Sequence, residues 1–322
     1  MKTATKVWII VAVSLMIFGL LIFGLAMAFS YGDLALFGND GYEVRDYEVD
    51  FDFSGIWIET DTADIEFVPS NDDSCRVVCD EKENLRYTFL SSGGVLEIKL
   101  VDSRKWYDHI NIFSFETPEM TVYIPAGEYG ALTVIESTGD VEIPEEFSFE
   151  SIDISLSTGD VECYASAKEH MKIKTSTGDI RLEDVTAGDV KLTVSTGRVS
   201  VSSAKCAGDV TLKVSTGKAN LIDVDCESFT SSGNTGDLAL KDVIAEEKIS
   251  IERSTGDVSF DGCDAAEIYV VTDTGDVRGS LLSDKVFMVE TDTGDVDVPK
   301  SVTGGRCEIK TDTGDIEIVV RQ

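Results

Sequence analysis

The dipeptide Thr-Gly followed by Asp, Arg or Lys occurs ten times in this chain, with its glycines at 139, 159, 178, 197, 217, 236, 256, 275, 294 and 314. Successive glycines are always 19 or 20 residues apart. A fixed period of this size marks a solenoid, in which each repeat is one small structural unit that hides its apolar face only by stacking on the next. Counting back from each glycine, apolar residues or Thr fall at positions −7, −5, −3 and −1, as in Ile152, Ile154, Leu156 and Thr158, or Met171, Ile173, Thr175 and Thr177. That is the period of a strand. After the glycine the apolar positions are +2 and +4 (Ile180 and Leu182, Val199 and Val201, Val258 and Phe260, Val296 and Val298), so the alternation slips by one residue at the Gly-Asp step. A one-residue slip turns every later side chain to the other face unless the chain rounds a corner there, and glycine suits a corner because it takes positive φ without strain.

Each repeat therefore reads as strand, Thr-Gly corner, strand, and a second turn carrying a small residue such as Ala187, Cys206, Cys226, Ala245 or Ala265. The expected fold is all-β, a single-domain parallel β-solenoid (β-helix) with coils of 19 to 20 residues. Thr at −1 is present in all ten repeats, and continued alternation turns it inward as a stacked Thr ladder. Residues 56–67 fill the same positions with Ala63 where glycine would stand, which makes them the expected first coil. Between them and Gly139 lie alternating segments at 75–80, 85–90, 95–101 and 120–124, with an aromatic-rich loop at 106–115. These read as a hairpin excursion or cap, because the terminal repeats of a solenoid must shield an edge. At the other terminus the chain stops at Ile316-Glu317-Ile318-Val319-Val320-Arg321-Gln322, within or just beyond a strand. An open C-terminal edge is expected there, available for docking or self-association.

Lys2 and Lys6 precede residues 7–29, which carry no charge and are long enough to cross a hydrocarbon core of about 30 Å as a helix. Basic residues before the stretch and acids after it (Asp33, Asp40, Glu43) orient the N-terminus inside and the C-terminal part outside. The alternative is a cleaved signal peptide, since Ala26-Met27-Ala28 has the small-x-small form of a cleavage site. The expected organisation is a cytoplasmic N-terminus (1–6), a transmembrane signal anchor (7–29), a linker (30–48) and the solenoid (49–322). Within the solenoid, 49–131 hold the first coil and an irregular β cap, and 132–322 the regular coils.

The 322-residue chain carries 60 acidic against 27 basic residues, and since 1–29 hold two lysines and no acid, the remainder has a formal net charge of −35. This charge excludes nucleic acid as a natural partner and disfavours anionic lipid surfaces, leaving cations, basic proteins and envelope or wall components. Seven cysteines leave at least one unpaired, and the repeat positions of Cys206, Cys226 and Cys263 are those of small interior residues, the mark of buried thiols.

Three constellations bear on chemistry. Asp-Thr-Gly at Asp273, Asp292 and Asp312 is the tripeptide of aspartic proteases, but here it continues the register of Ser-Thr-Gly in earlier coils and belongs to the repeat. His109 and His170 have no metal-spaced partner, which argues against zinc and His-based triads. The third is the residue after each glycine, which stacks into a column: Asp140, Asp160, Asp179, Arg198, Lys218, Asp237, Asp257, Asp276, Asp295 and Asp315. Carboxylates about 4.8 Å apart repel unless hydrated, protonated or bridged by a cation, and Ca²⁺ takes oxygen ligands of this kind. The candidate Ca²⁺ ligands are Asp273, Asp276, Asp292, Asp295, Asp312 and Asp315, in the last three coils; the other reading is a solvated acidic face.

The phrase Met120-Thr121-Val122-Tyr123-Ile124-Pro125 leading into Leu132-Thr133-Val134 and Ser137-Thr138-Gly139-Asp140-Val141-Glu142-Ile143, followed by repeated Ser/Asp-Thr-Gly-Asp corners behind an N-terminal anchor, resembles the bacterial "putative adhesin" domain family. It is similar to members found in Gram-positive envelope-stress operons, and the resemblance covers roughly residues 49–322. It implies a β-solenoid at the cell surface with no catalytic residues to carry over. The expected function is a noncatalytic, extracytoplasmic envelope interaction or scaffold module. Alternatives are a Ca²⁺-responsive surface module built on the Asp column and a carbohydrate-acting β-helix enzyme. For the enzyme, only residues 102–118 break the repeat, and their Trp106, Tyr107, Asp108 and His109 serve equally as a binding patch or as packing for the cap.

Overall fold

A computed structural model of the chain describes residues 12–19, 21, 41–72, 74–104 and 117–321. Its contacts divide the chain into two units, residues 1–43 with 103–116, and residues 44–102 with 117–322. In the first, residues 12–19 and 21 are helical, and among the described residues no helix is long and apolar enough to cross a membrane. Most of the expected span at 7–29, and the whole aromatic loop at 106–115, lie outside the described residues.

The second unit is a β-solenoid of stacked coils. A long strand such as Phe147–Thr158 ends at the Thr-Gly corner and a shorter one such as Val161–Cys163 follows it. Successive coils pair in parallel with matching positions in register. Ile152, Met171, Val190 and Val210 form one row, and Leu156, Thr175, Val194 and Val214 another. Both rows are buried, at 2% exposure or less. Hiding an aliphatic side chain this completely contributes about 1.5–3 kcal/mol, so the repeated rows carry most of the stability.

The corner explains the glycine. All ten corner glycines adopt φ between 126° and 153°, a region closed to other residues. A Cβ on any of those from Gly159 onward would also overlap the carbonyl of the glycine stacked against it. At Gly139 that neighbour is Ala63, which is fully buried at the corner of the first coil.

One inward position was misplaced by the sequence reading. The Thr at −1 is solvent-exposed in all ten repeats, so the Thr ladder is in register but faces outward. The alternation fails between −3 and −1, because the chain begins to round the corner there and turns both −2 and −1 away from the core. The inward threonines are those at −3, and three of the four donate their hydroxyls to glycine carbonyls of neighbouring corners: Thr175 to Gly159 (3.1 Å), Thr291 to Gly314 (3.0 Å) and Thr311 to Gly275 (3.2 Å), while Thr272 has no partner among the described residues.

At the N-terminal end, Gly55–Glu59 lies parallel to both Gly127–Thr138 and Val95–Asp102, and Asp64–Pro69 lies parallel to Glu119–Ile124. Antiparallel strands then cover this end. Leu85–Ser92 pairs with Val95–Asp102, and Cys75–Glu81 with Glu119–Ile124.

At the other end the coils are out of sequence order. Glu267–Thr274 pairs not with the next long strand, Lys285–Thr293, but with Gly305–Thr313, and Lys285–Thr293 lies outside that. The short strands follow suit: Ile316–Val320 sits between Val277–Leu281 and Val296–Asp297. The C-terminal coil is thus inserted beneath the coil that precedes it, and the free long edge belongs to Lys285–Thr293 instead of the C-terminal strand.

Two local features make room for this. Gly304, at φ 105°, and Gly305 lie so close to the carbonyls of Asp284 and Ala266 that neither position has space for a Cβ. Lys285, 3% exposed, extends past Gly305 to place Nζ 2.6 Å from both Asp264 Oδ1 and Ser283 Oγ. The outermost coil is thereby pinned across the inserted one to the coil below.

Candidate functional site

The column of residues that follows the corner glycines is the most regular polar feature of the solenoid. Each aspartate except the outermost, Asp295, uses Oδ1 to accept the backbone N–H of the column residue in an adjacent coil. The run begins at Asp64, which accepts from Asp140 (3.0 Å), and continues through Asp140 to Asp160 (2.7 Å), Asp160 to Asp179 (2.7 Å) and Asp179 to Arg198 (2.7 Å). It resumes with Asp237 to Asp257 (3.3 Å), Asp257 to Asp276 (2.9 Å), Asp276 to Asp315 (2.8 Å) and Asp315 to Asp295 (3.0 Å). The carboxylates are therefore rungs that satisfy backbone donors at a corner where no strand continues, work that buried or half-buried N–H groups require. The sequence showed the column but not this use of it, because the donor lies 19 to 39 residues away along the chain, apart from the longer step between Asp64 and Asp140.

Charge within the column is partly neutralised from inside it. Arg198 meets Asp179 Oδ2 at 3.0 Å and Lys218 meets Asp237 at 2.9 Å. Arg278, two residues past its own Asp276, reaches both Asp276 (2.8 Å) and Asp315 (3.0 Å). The Lys218 hydrogen bond holds the Asp237 carboxyl below the usual carboxylate range, and the backbone N–H of Asp295 followed by Arg278 does the same for Asp315.

Of the six candidate Ca²⁺ ligands, Asp276, Asp315 and Asp295 are consecutive rungs in that spatial order, while Asp273, Asp312 and Asp292 occupy matching exposed positions two residues before the glycines. The coil insertion interleaves them differently from the sequence. Among the described residues, no group of three or more His, Cys, Asp or Glu side chains is arranged to hold a metal. Asp108 and His109 lie outside the described residues; His170 is described and bonds Asp153 at 3.0 Å. All seven cysteines are buried and unpaired, and burial pushes the thiols upward, to about 12 for Cys163 and Cys307.

Two buried charged side chains were missed. Glu136 and Arg253 occupy the inward −3 row, each 3% exposed. Glu136 Oε1 accepts the Ala63 N–H (2.7 Å), Oε2 has no partner among the described residues, and burial pushes its pKa up to about 9. Arg253 takes the space left by the absent side chain of Gly233 and donates to Ser231 Oγ (3.0 Å), while burial lowers its pKa. Their signal was available: a charge in a row otherwise filled by Leu, Val, Thr or Gly. The second turn, expected at small residues such as Ala187 and Cys226, comes earlier: six residues after the glycine, Asp184, Ser203, Asp223 and Asp242 take φ of 51–56° and Gly262 takes 70°, while Ala187 and Cys226 lie within strands.

The model of the Toastrack DUF4097 family matches residues 53–217 and again residues 205–322. No curated protein matches the chain. Among solved structures it is similar to a "putative adhesin" from Parabacteroides merdae, 15% identical over 88% of this chain and 98% of that one, with a TM-score of 0.48. A "putative adhesin" from Parabacteroides distasonis is likewise 15% identical, over 88% and 99%, at 0.48. A "putative lipid binding protein" from the same organism is 16% identical, over 88% and 98%, at 0.47.

Proposed function

The chain belongs to the Toastrack DUF4097 family, and from that premise we propose that it is a noncatalytic interaction or scaffold module of the cell envelope, held at the membrane by residues 7–29 with the solenoid outside. The observation that carries this reading is the corner column. Its acids are engaged as rungs between coils and by Arg198, Lys218 and Arg278, an arrangement that builds a rigid face and leaves no carboxylate pair set apart for proton transfer among them. General acid–base work needs titratable groups whose environments differ and converge on one substrate position. What the column offers is an acidic, flat, repetitive surface, suited to a basic protein or an envelope component.

Cell fractionation tests the placement. The full chain is expected in the membrane fraction after carbonate washing, and protease added to intact cells should cut the solenoid. Release of the chain by carbonate, or a chain protected in intact cells, would sink the reading. Binding to isolated envelopes should weaken steeply as salt is raised, since exposed charges are screened over about 8 Å at physiological ionic strength.

A calcium-responsive version is favoured by one observation. The outermost corner holds Asp292 and Asp295 exposed to solvent, beyond the pair that Arg278 neutralises. Titration with Ca²⁺ against an EDTA reference should then raise the melting temperature saturably, and Asp292→Asn with Asp312→Asn should abolish the rise. An unchanged melting temperature leaves the column a passive acidic face.

A further inference from the structure

The strand Lys285–Thr293 has a partner on one side only. Its other side faces no described residue, although it presents nine consecutive residues of backbone. Where the coil below buries Cys307 and Ile309 to 1% or less, the same rows here hold Phe287 and Val289 only half-buried. The outward positions Val286 and Met288 are exposed at 36% and 43%. The core is therefore open at this end, and of the usual protections of an edge this strand has only the acids Glu290 and Asp292 and one inward-turned charge. It contains no proline, and its one lysine, Lys285, is turned inward to Asp264. The shorter strand beside it, Val296–Asp297, is by contrast closed off by Pro299 two residues on.

We infer that this edge is the docking surface for the same strand of a second copy, paired antiparallel about a two-fold axis at Val289, so that the two open cores close against one another. Two features single out this occupant. First, the two ends differ: at the opposite end antiparallel strands lie over the first coil and bury Tyr87 to 6%, whereas here the core rows are half-exposed, so the match for this open core is the same open core of a second copy, a contact closed by a two-fold axis. Second, the strand is complementary to itself in charge. With Val289 opposite Val289, Met288 falls opposite Glu290 and Val286 opposite Asp292, so each acid meets an apolar residue of the other copy and no acid directly faces another. For a chain of net charge −33, a self-contact that separates its acids in this way is a specific requirement, and this register meets it. The dimer goes beyond the proposed envelope role and does not depend on it.

The test uses the full chain in mild detergent, with its mass measured by light scattering and its dissociation followed by dilution. The wild type is expected as a dimer. Met288→Glu sets two like-charge pairs across the axis and should weaken the dimer about tenfold, whereas Met288→Lys sets two opposite-charge pairs and should tighten it. Both substitutions lie on the outward face, so a role in folding alone would not give opposite signs. Val289→Cys, opposed to itself, should form a disulfide-linked dimer under mild oxidation, and Thr293→Cys should not, the native cysteines being buried. A monomeric wild type, a dimer indifferent to both Met288 variants, or cross-linking of the Thr293→Cys variant in place of the Val289→Cys variant overturns the proposal. So does a monomer in which residues 285–293 are protected from hydrogen exchange by another segment of the same chain.

Discussion

At the N-terminal end of the solenoid, the first coil is covered by Cys75–Glu81 and Leu85–Ser92, and the cover is held by unique polar contacts. Glu81, 3% exposed, accepts the Tyr87 N–H (2.7 Å) and the Tyr47 hydroxyl (2.9 Å), while Thr60 and Tyr87 share a hydrogen bond of 2.9 Å. At the other end there is no cover among the described residues, only an exchanged coil order pinned by Lys285 on Asp264. Between them the coils repeat one solution: buried rows, corner glycines and Asp rungs. The difference teaches that a repeat solves its own stacking ten times over but cannot solve its ends. There the chain needs residues that break the pattern, and each end breaks it differently.

The sharpest way to break the comparison is at the open end. Asp264→Ala strands a buried ammonium and should cost about 3–5 kcal/mol. Lys285→Met, which fills similar volume without a charge, should cost far less. Hydrogen exchange is expected to show the Asp264→Ala loss concentrated in residues 285–297 while the capped end stays protected. Equal loss at both ends would mean that the pair does not act locally.

The matching change at the capped end is Glu81→Ala. It leaves the Tyr87 N–H without its acceptor in a buried site and should cost about 2–3 kcal/mol. Denaturant unfolding measures the total, and early cleavage within 75–102 would locate it; cleavage that begins in the regular coils would refute the assignment.

Glu136, which ties the first coil to the second through Ala63, sharpens the comparison by pH. Its folded pKa of about 9 lies above the ordinary 4.5, so the folded state holds a proton that the unfolded state has released over that interval. The contribution is fully present below about 4.5, declines as pH rises, and is lost above about 9. Glu136→Gln keeps the acceptor and removes the titration. Between about pH 5 and pH 8 its advantage over the wild type should grow by roughly 1 kcal/mol per pH unit, with little difference at pH 4. An identical pH profile for wild type and variant would show that Glu136 does not titrate in this window.

The smallest effect is expected in the regular coils. Asp160→Ala removes one rung and should cost about 1 kcal/mol, whereas Asp160→Asn keeps an acceptor for the Asp179 N–H and should cost less. If both variants lose equally, negative charge and not the hydrogen bond is what the column supplies.

Much of this molecule was legible before folding. The 19 to 20 residue period, the slip at Gly-Asp and the alternation before it determined the parallel solenoid and its corner, because these signals are local and repeated in every coil. Ala63 could be placed at the first corner for the same reason. The Thr at −1 could not be assigned correctly, since alternation says which face a strand residue takes but not where the strand begins to bend. The rungs of the Asp column were equally hidden, their donors being set by stacking.

The order of the last coils was decided by tertiary structure alone. The segments around Asp292-Thr293-Gly294-Asp295 and Asp312-Thr313-Gly314-Asp315 carry the same corner and the same inward rows, so either could stack on Glu267–Thr274 with equal local satisfaction. What separates the two arrangements is non-local: the clearance at Gly304 and Gly305, and a buried lysine that meets its acid across the inserted coil. A repeat specifies the interface between neighbours, and only contacts that span more than one neighbour specify which neighbour it is.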